Sequence, residues 1–102
     1  MRVRPYNVYA HRETLSGKPP VTGFSLVRAG KIVRKWNFAD HKRGSVLSFS
    51  YGGFQFVIRI TMKRYGFGKR SSSGFSMVKV AEIRAFKGTQ QVRPPKWFKH
   101  EH

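Results

Sequence analysis

From position 54 to 63 the side chains sort into two sides with a period of two. Phe54, Phe56, Ile58, Ile60 and Met62 fall on one side of an extended chain, and Gln55, Val57, Arg59, Thr61 and Lys63 on the other. That period, in β-branched and aromatic residues, belongs to a strand with one buried face. The dipeptide before it, Gly52-Gly53, supplies the positive φ angles that a two-residue hairpin turn needs. Pairing outward from this turn sets Tyr51 opposite Phe54, Phe49 opposite Phe56 and Leu47 opposite Ile58. Residues directly opposite share a face, so one face of the hairpin is apolar throughout. The other face pairs Ser50 with Gln55, Ser48 with Val57 and Val46 with Arg59. Turn chemistry and alternation agree on a single register, and a shift by one residue would turn every apolar side chain outward.

Other strands follow from the same pattern. Positions 24–27 and 32–38 flank Arg28-Ala29-Gly30-Lys31 and read as a second hairpin. Val27 then faces Ile32 and Leu26 faces Val33. Apolar residues fall on both faces, which implies either cover on both sides or a bulge. Positions 2–10 read as a first strand, and 75–86 as a last one containing Met77, Val78, Val80 and Ile83; a helical reading of 78–87 stays open. Ser16-Gly17-Lys18-Pro19-Pro20 breaks the chain after the first strand. The expected fold is all-β or β-rich α+β: a small antiparallel meander, partly closed as an OB-like or SH3-like barrel to protect its edges. Residues 1–88 form a single domain in this reading, and residues 89–102 a basic, aromatic tail. Unpaired edges would suit a homodimer.

Charge narrows the function. Lys and Arg number 21 against 4 Asp and Glu, a formal charge of +17 in 102 residues. A compact chain with that balance repels itself, and a polyanion offsets the cost. The chain is 39% hydrophobic, too much for a disordered polycation. The basic residues run the whole length, which favours nucleic acid over a membrane surface, for which a basic amphipathic helix would be expected. There is no cysteine, so disulfides and thiolate metal sites are excluded. No apolar signal run follows the N-terminus and no stretch has the length of a membrane span. The expected location is the cytoplasm or a nucleoprotein or viral particle.

Four groups of residues are candidates for the contact. Lys63, Arg64, Tyr65, Phe67, Lys69 and Arg70 interleave aromatic rings with cations, as a single strand requires: rings stack on bases and cations hold phosphates. Arg59, with Thr61 and Lys63, lines the polar face of the central hairpin. Lys31, Arg34 and Lys35 accompany Trp36, with Lys42 and Arg43 nearby; on an extended chain Arg34 and Trp36 share a face. In the tail, Trp97 and Phe98 lie between lysines and would bind a protein partner or dock on the chain's own core. Each group also has a plain structural reading as a mobile tip, a solvated face or a piece of core.

Catalysis has less support. His11 and His41 could cleave RNA by acid–base chemistry if they converged, as in a small RNase toxin, but no spacing requires it. Glu13, Asp40, Glu82 and Glu101 are too few and scattered to suggest a metal-dependent nuclease. The glycines of Gly66-Phe67-Gly68-Lys69-Arg70 lack the spacing of a phosphate loop. The reading is a non-enzymatic protein, without cofactor, that binds nucleic acid with little sequence specificity and favours single strands. The alternative is a basic interaction module, viral or phage-like, that binds and inhibits an acidic protein.

Overall fold

The computed structural model describes residues 3–10, 21–66 and 75–101. They form strands β1 (Tyr6–Ala10), β2 (Gly23–Arg28), β3 (Lys31–Asn37), β4 (Val46–Tyr51), β5 (Phe54–Gly66), β6 (Phe75–Lys87), β7 (Gln90–Val92) and β8 (Phe98–Glu101), with one 3₁₀ turn at Phe38–Asp40. All pairings are antiparallel. The larger sheet has the order β1-β6-β5-β4, with β7 also on β6, and the smaller has the order β3-β2-β8. The fold is β-rich, as the periodicity implies, and it is not a closed barrel. Among the described residues there is no α-helix, and none long and apolar enough to cross a membrane.

The central hairpin has the register read from its alternation: Tyr51 pairs with Phe54, Phe49 with Phe56, Leu47 with Ile58 and Val46 with Arg59. Gly52 and Gly53 take φ values of 63° and 85°, the positive pair that a type I′ turn demands and that matches strand twist. The other hairpin turns on Ala29 and Gly30, also both at positive φ. Val27 faces Ile32 as expected, but Leu26 pairs with Arg34 instead of Val33, because Val33 is bulged out of the ladder. The bulge lets Arg34 and Trp36 share the face that carries Leu26 and Phe24.

The two sheets pack on one core. Phe56, Ile58 and Ile60 of β5, Ala81, Ile83 and Ala85 of β6, and Val8 of β1 meet Phe24 and Leu26 of β2, Trp36 of β3 and Phe98 of β8. Each fully buried large side chain in such a cluster contributes about 1.5–3 kcal/mol of transfer free energy. Gly23 is a packing necessity: a Cβ there would lie 2.1 Å from the Trp36 carbonyl oxygen.

Residues 90–101 do not trail from the domain. Gln90–Val92 pairs with β6 and Phe98–Glu101 pairs with β2, so the last residues complete both sheets. The Val27 N–H donates to Trp97 O at 2.8 Å, and the Thr22 N–H to Glu101 O at 2.7 Å, extending the β2–β8 ladder. The Tyr6 hydroxyl crosses between the sheets to donate to Phe98 O at 2.8 Å. This ties β1 to β8 along one side of the sandwich. On the opposite side β3 and β4 follow each other in the chain yet belong to different sheets. Among the described residues no strand pairs with their outer edges, and the seam between them is open.

Candidate nucleic-acid interface

The open seam is a cleft of about 480 Å³ lined by Arg34, Lys35, Trp36, His41, Val46, Leu47, Ser48 and Phe49. None of these described lining residues is acidic. Trp36 and Phe49 make its floor, with ring centroids 5.2 Å apart. Above them lies the Arg34 guanidinium, 5.7 Å from the Trp36 ring centroid and 5.5 Å from that of Phe49. Both distances fall within cation–π range. Arg34 therefore holds a fixed position at the mouth while remaining exposed.

The connection from β3 to β4 positions the basic residues at one end of the cleft. Asn37 Oδ1 accepts from the Ala39 N–H at 2.9 Å and caps the 3₁₀ turn. Phe38 enters the core and contacts the Phe24 ring at 5.6 Å. From the larger sheet, Lys79 Nζ donates to Phe38 O at 2.8 Å and to His41 O at 2.9 Å. These ties hold half-buried His41, with exposed Lys42 and Arg43 following it. Exposed Lys31 begins β3. Arg34 and Lys35 thus line the cleft, the Lys35 ammonium reaching to Glu101 on the other face of β3, and Lys31, Lys42 and Arg43 flank them in the chain.

Two of the nearby acids are engaged. Glu101 accepts from Ser25 Oγ at 2.6 Å and lies 3.8 Å from Lys35 Nζ. Glu82 pairs with Arg84 at 3.4 Å. Asp40 and Glu101 line a separate depression with Lys35, Asn37 and Thr22, on the far side of β3. Exposed Val46 borders the cleft and also the shallow surface formed with Val57, Arg59, Glu82 and Arg84. Past Val46 this surface reaches Arg59, where Glu82 stands directly opposite in the ladder.

The candidate residues are thus dispersed, and only some meet. Arg34 and Lys35 share the cleft with His41, which Lys42 and Arg43 follow in the chain. Trp36 is a correction to the stacking reading: it is 8% exposed and stacks on Phe24 at 4.8 Å, so its ring serves the core. Of the two readings of the tail, Phe98 takes docking on the core and not partner binding, since it is only 2% exposed. The alternating neighbours in β8 send it inward, where it contacts Phe24, Trp36 and Phe56. Trp97 is half-buried, edge-on to Tyr51 and Phe54, with the Arg28 guanidinium 4.2 Å from its centroid. Lys63 and Arg64 are exposed near the end of β5, and the Tyr65 backbone pairs with Ser76. Phe67, Lys69, Arg70 and His11 lie outside the described residues. His41 is an acid–base candidate in the sequence and Ser48 belongs to the polar face of the central hairpin, but neither is assigned there to a cleft with β3; the shortness of the 38–45 connection is what brings β4 beside β3.

Comparison of the chain with protein families, curated proteins and solved structures finds no match.

Proposed function

We propose that this protein binds nucleic acid without enzymatic chemistry and with little sequence specificity, holding a single strand along the β3–β4 cleft. The observation that carries this reading is a cleft lined by Arg34, Lys35 and His41, with no acid among its described lining residues and with exposed Lys31, Lys42 and Arg43 flanking these residues in the chain. Seven residues of β3 span about 23 Å at strand rise. Phosphate contacts supply most of the affinity. Because Trp36 is committed to the core, the described cleft offers bases only the partly exposed Phe49 ring.

A second reading has its own support. Ile32 and Val33 are 54% and 40% exposed on the free β3 edge, where an acidic protein could add a strand.

Fluorescence anisotropy with single-stranded RNA, single-stranded DNA and duplex DNA across a salt series tests the proposal, with heparin and an acidic protein as controls. Neutralising about five phosphates gives a log–log salt slope of about −3.5 for single strands, and Arg34→Ala lowers its magnitude by about 0.7. Weak binding to all three nucleic acids at moderate salt, or a slope unchanged in Arg34→Ala, overturns the assignment. Tighter binding to the acidic protein would favour the second reading.

A further inference from the structure

A second basic groove lies away from the seam, and its origin is a break in a sheet edge. Strands β1 and β7 both lie along the edge of β6 that faces away from β5. Tyr6, the first residue of β1, pairs with Ile83, and Val92, the last of β7, pairs with Ala85. Only the width of Arg84 separates them. Neither chain can continue the ladder normally, because Pro5 precedes Tyr6 and Pro94-Pro95 soon follows Val92, and proline has no N–H to donate. The two segments diverge instead and leave a groove of about 470 Å³ between them.

The chemistry of the groove is divided. Val3, Pro5, Tyr6 and Pro94 supply apolar walls, and Arg4, Arg93 and Lys96 supply charge. Pro94 is buried, Tyr6 is half-buried, and all of these cations are exposed. Tyr6 is anchored by its hydroxyl to Phe98 O, and the prolines have fixed φ, so the walls are formed before a ligand arrives. No acidic residue is among the described lining residues. Apolar, partly aromatic walls fit the flat face of a ring, and converging cations fit a phosphate.

We infer that this groove is a nucleotide subsite: its walls take one unstacked base, and Arg4, Arg93 and Lys96 take the attached phosphate. The inference does not depend on the cleft. The same chemistry is presented by a free nucleotide and by the phosphorylated end of a strand.

Calorimetric titration of the full chain with adenosine 5′-monophosphate, adenosine and ribose 5-phosphate tests it. The monophosphate should bind about tenfold more tightly than either half, and Arg93→Ala or Lys96→Ala should weaken it about tenfold, the usual effect of losing one charge-assisted contact. Arg34→Ala removes the same charge from the cleft and should leave this binding unchanged while weakening oligonucleotide binding, so the two sites succeed or fail separately. Competition by a 5′-phosphorylated but not a 5′-hydroxyl oligonucleotide would place a strand end in the groove, and absence of competition would leave the free nucleotide as its ligand. Ribose 5-phosphate binding as tightly as the monophosphate, or equal losses in Arg34→Ala and Arg93→Ala, would overturn the inference, as would no monophosphate binding at millimolar concentration.

Discussion

Lys79 gives the sharpest test of how the sandwich holds its open seam. It is the inward-facing residue at one end of β6, opposite Met62 and Ala10 in the ladders. A lysine facing inward must find acceptors, and it finds the carbonyls of Phe38 and His41 at 2.8 and 2.9 Å. Hydrogen bonds from a charged donor contribute about 1.5–3 kcal/mol each. Lys79→Met keeps the length of the stem and removes both. Phe38 O still accepts from the His41 N–H at 3.3 Å, so the net loss is about 2–4 kcal/mol. For a domain of this size each kcal/mol moves Tm by about 4–8 °C, which predicts a fall of roughly 8–30 °C by thermal denaturation. Because the same ties position His41, Lys42 and Arg43, oligonucleotide binding below the new Tm should weaken more than in Lys99→Met, which removes a charge from exposed β8. A fall under about 3 °C would refute the clamp, and equal binding losses in the two variants would refute its link to the cleft.

Gly23→Ala forces a Cβ to within 2.1 Å of the Trp36 carbonyl oxygen, so the end of the β2–β3 ladder must open; a loss of about 3 kcal/mol should show in urea denaturation, and an unchanged midpoint would contradict the packing. Ala29 sits at φ 52° before Gly30 at 77°, and Ala29→Asn creates the Asn-Gly pair preferred in a type I′ turn, so stability should rise by about 0.5–1 kcal/mol; a lower Tm would count against that turn. Burial pushes the Tyr6 hydroxyl above its ordinary pKa of 10.0. A folded-state pKa raised above the unfolded value makes this contribution complete below pH 10 and loses it as pH rises through the folded pKa. Wild type should therefore lose stability relative to Tyr6→Phe above pH 10, and parallel pH profiles would argue against the burial.

Legibility in the sequence tracked one-sidedness. The β4–β5 hairpin could be read to the residue because one face is buried and the other is wet, so a single register satisfies both. The segment 78–87 was ambiguous between strand and helix for the opposite reason. Val78 and Val80 are buried on one face while Ala81 and Ile83 are buried on the other, and cover on both faces erases the period of two. The bulge at Val33 was visible only as apolar residues on both faces of β3. Strands β7 and β8 are too short to carry a period, and only tertiary pairing makes them strands. The candidate site was legible as composition and not as arrangement. Lys31, Arg34 and Lys35 could be named from local density, but local density also marked Trp36, whose ring the core claims. An aromatic residue beside cations looks the same in sequence whether it faces bases or the interior; the bulge that sets its direction is a tertiary feature.

The open seam also has an energetic consequence that separates stability from binding. Lys31, Arg34, Lys35, Lys42 and Arg43 lie close together in the chain, with the carboxylates of Glu101 and Asp40 nearby, Glu101 3.8 Å from Lys35 Nζ. Their mutual repulsion is strongest in the ligand-free protein at low salt, where screening reaches only beyond about 10 Å at 0.1 M. Raising salt should therefore raise the Tm of the free protein, while the same change lowers affinity for oligonucleotide through counterion competition. Removing Lys42 and Arg43 together should act in the same opposed way, stabilising the free chain by a few tenths of a kcal/mol per exposed charge and weakening binding. A bound strand reverses the balance, because a ligand at a hundred times its Kd adds about 2.7 kcal/mol to the folded state. Opposite signs in the two assays would mark these cations as held together for a polyanion. If salt and the double substitution leave the free protein's Tm flat or lower it, these cations form an ordinary solvated surface and the electrostatic argument for the cleft fails.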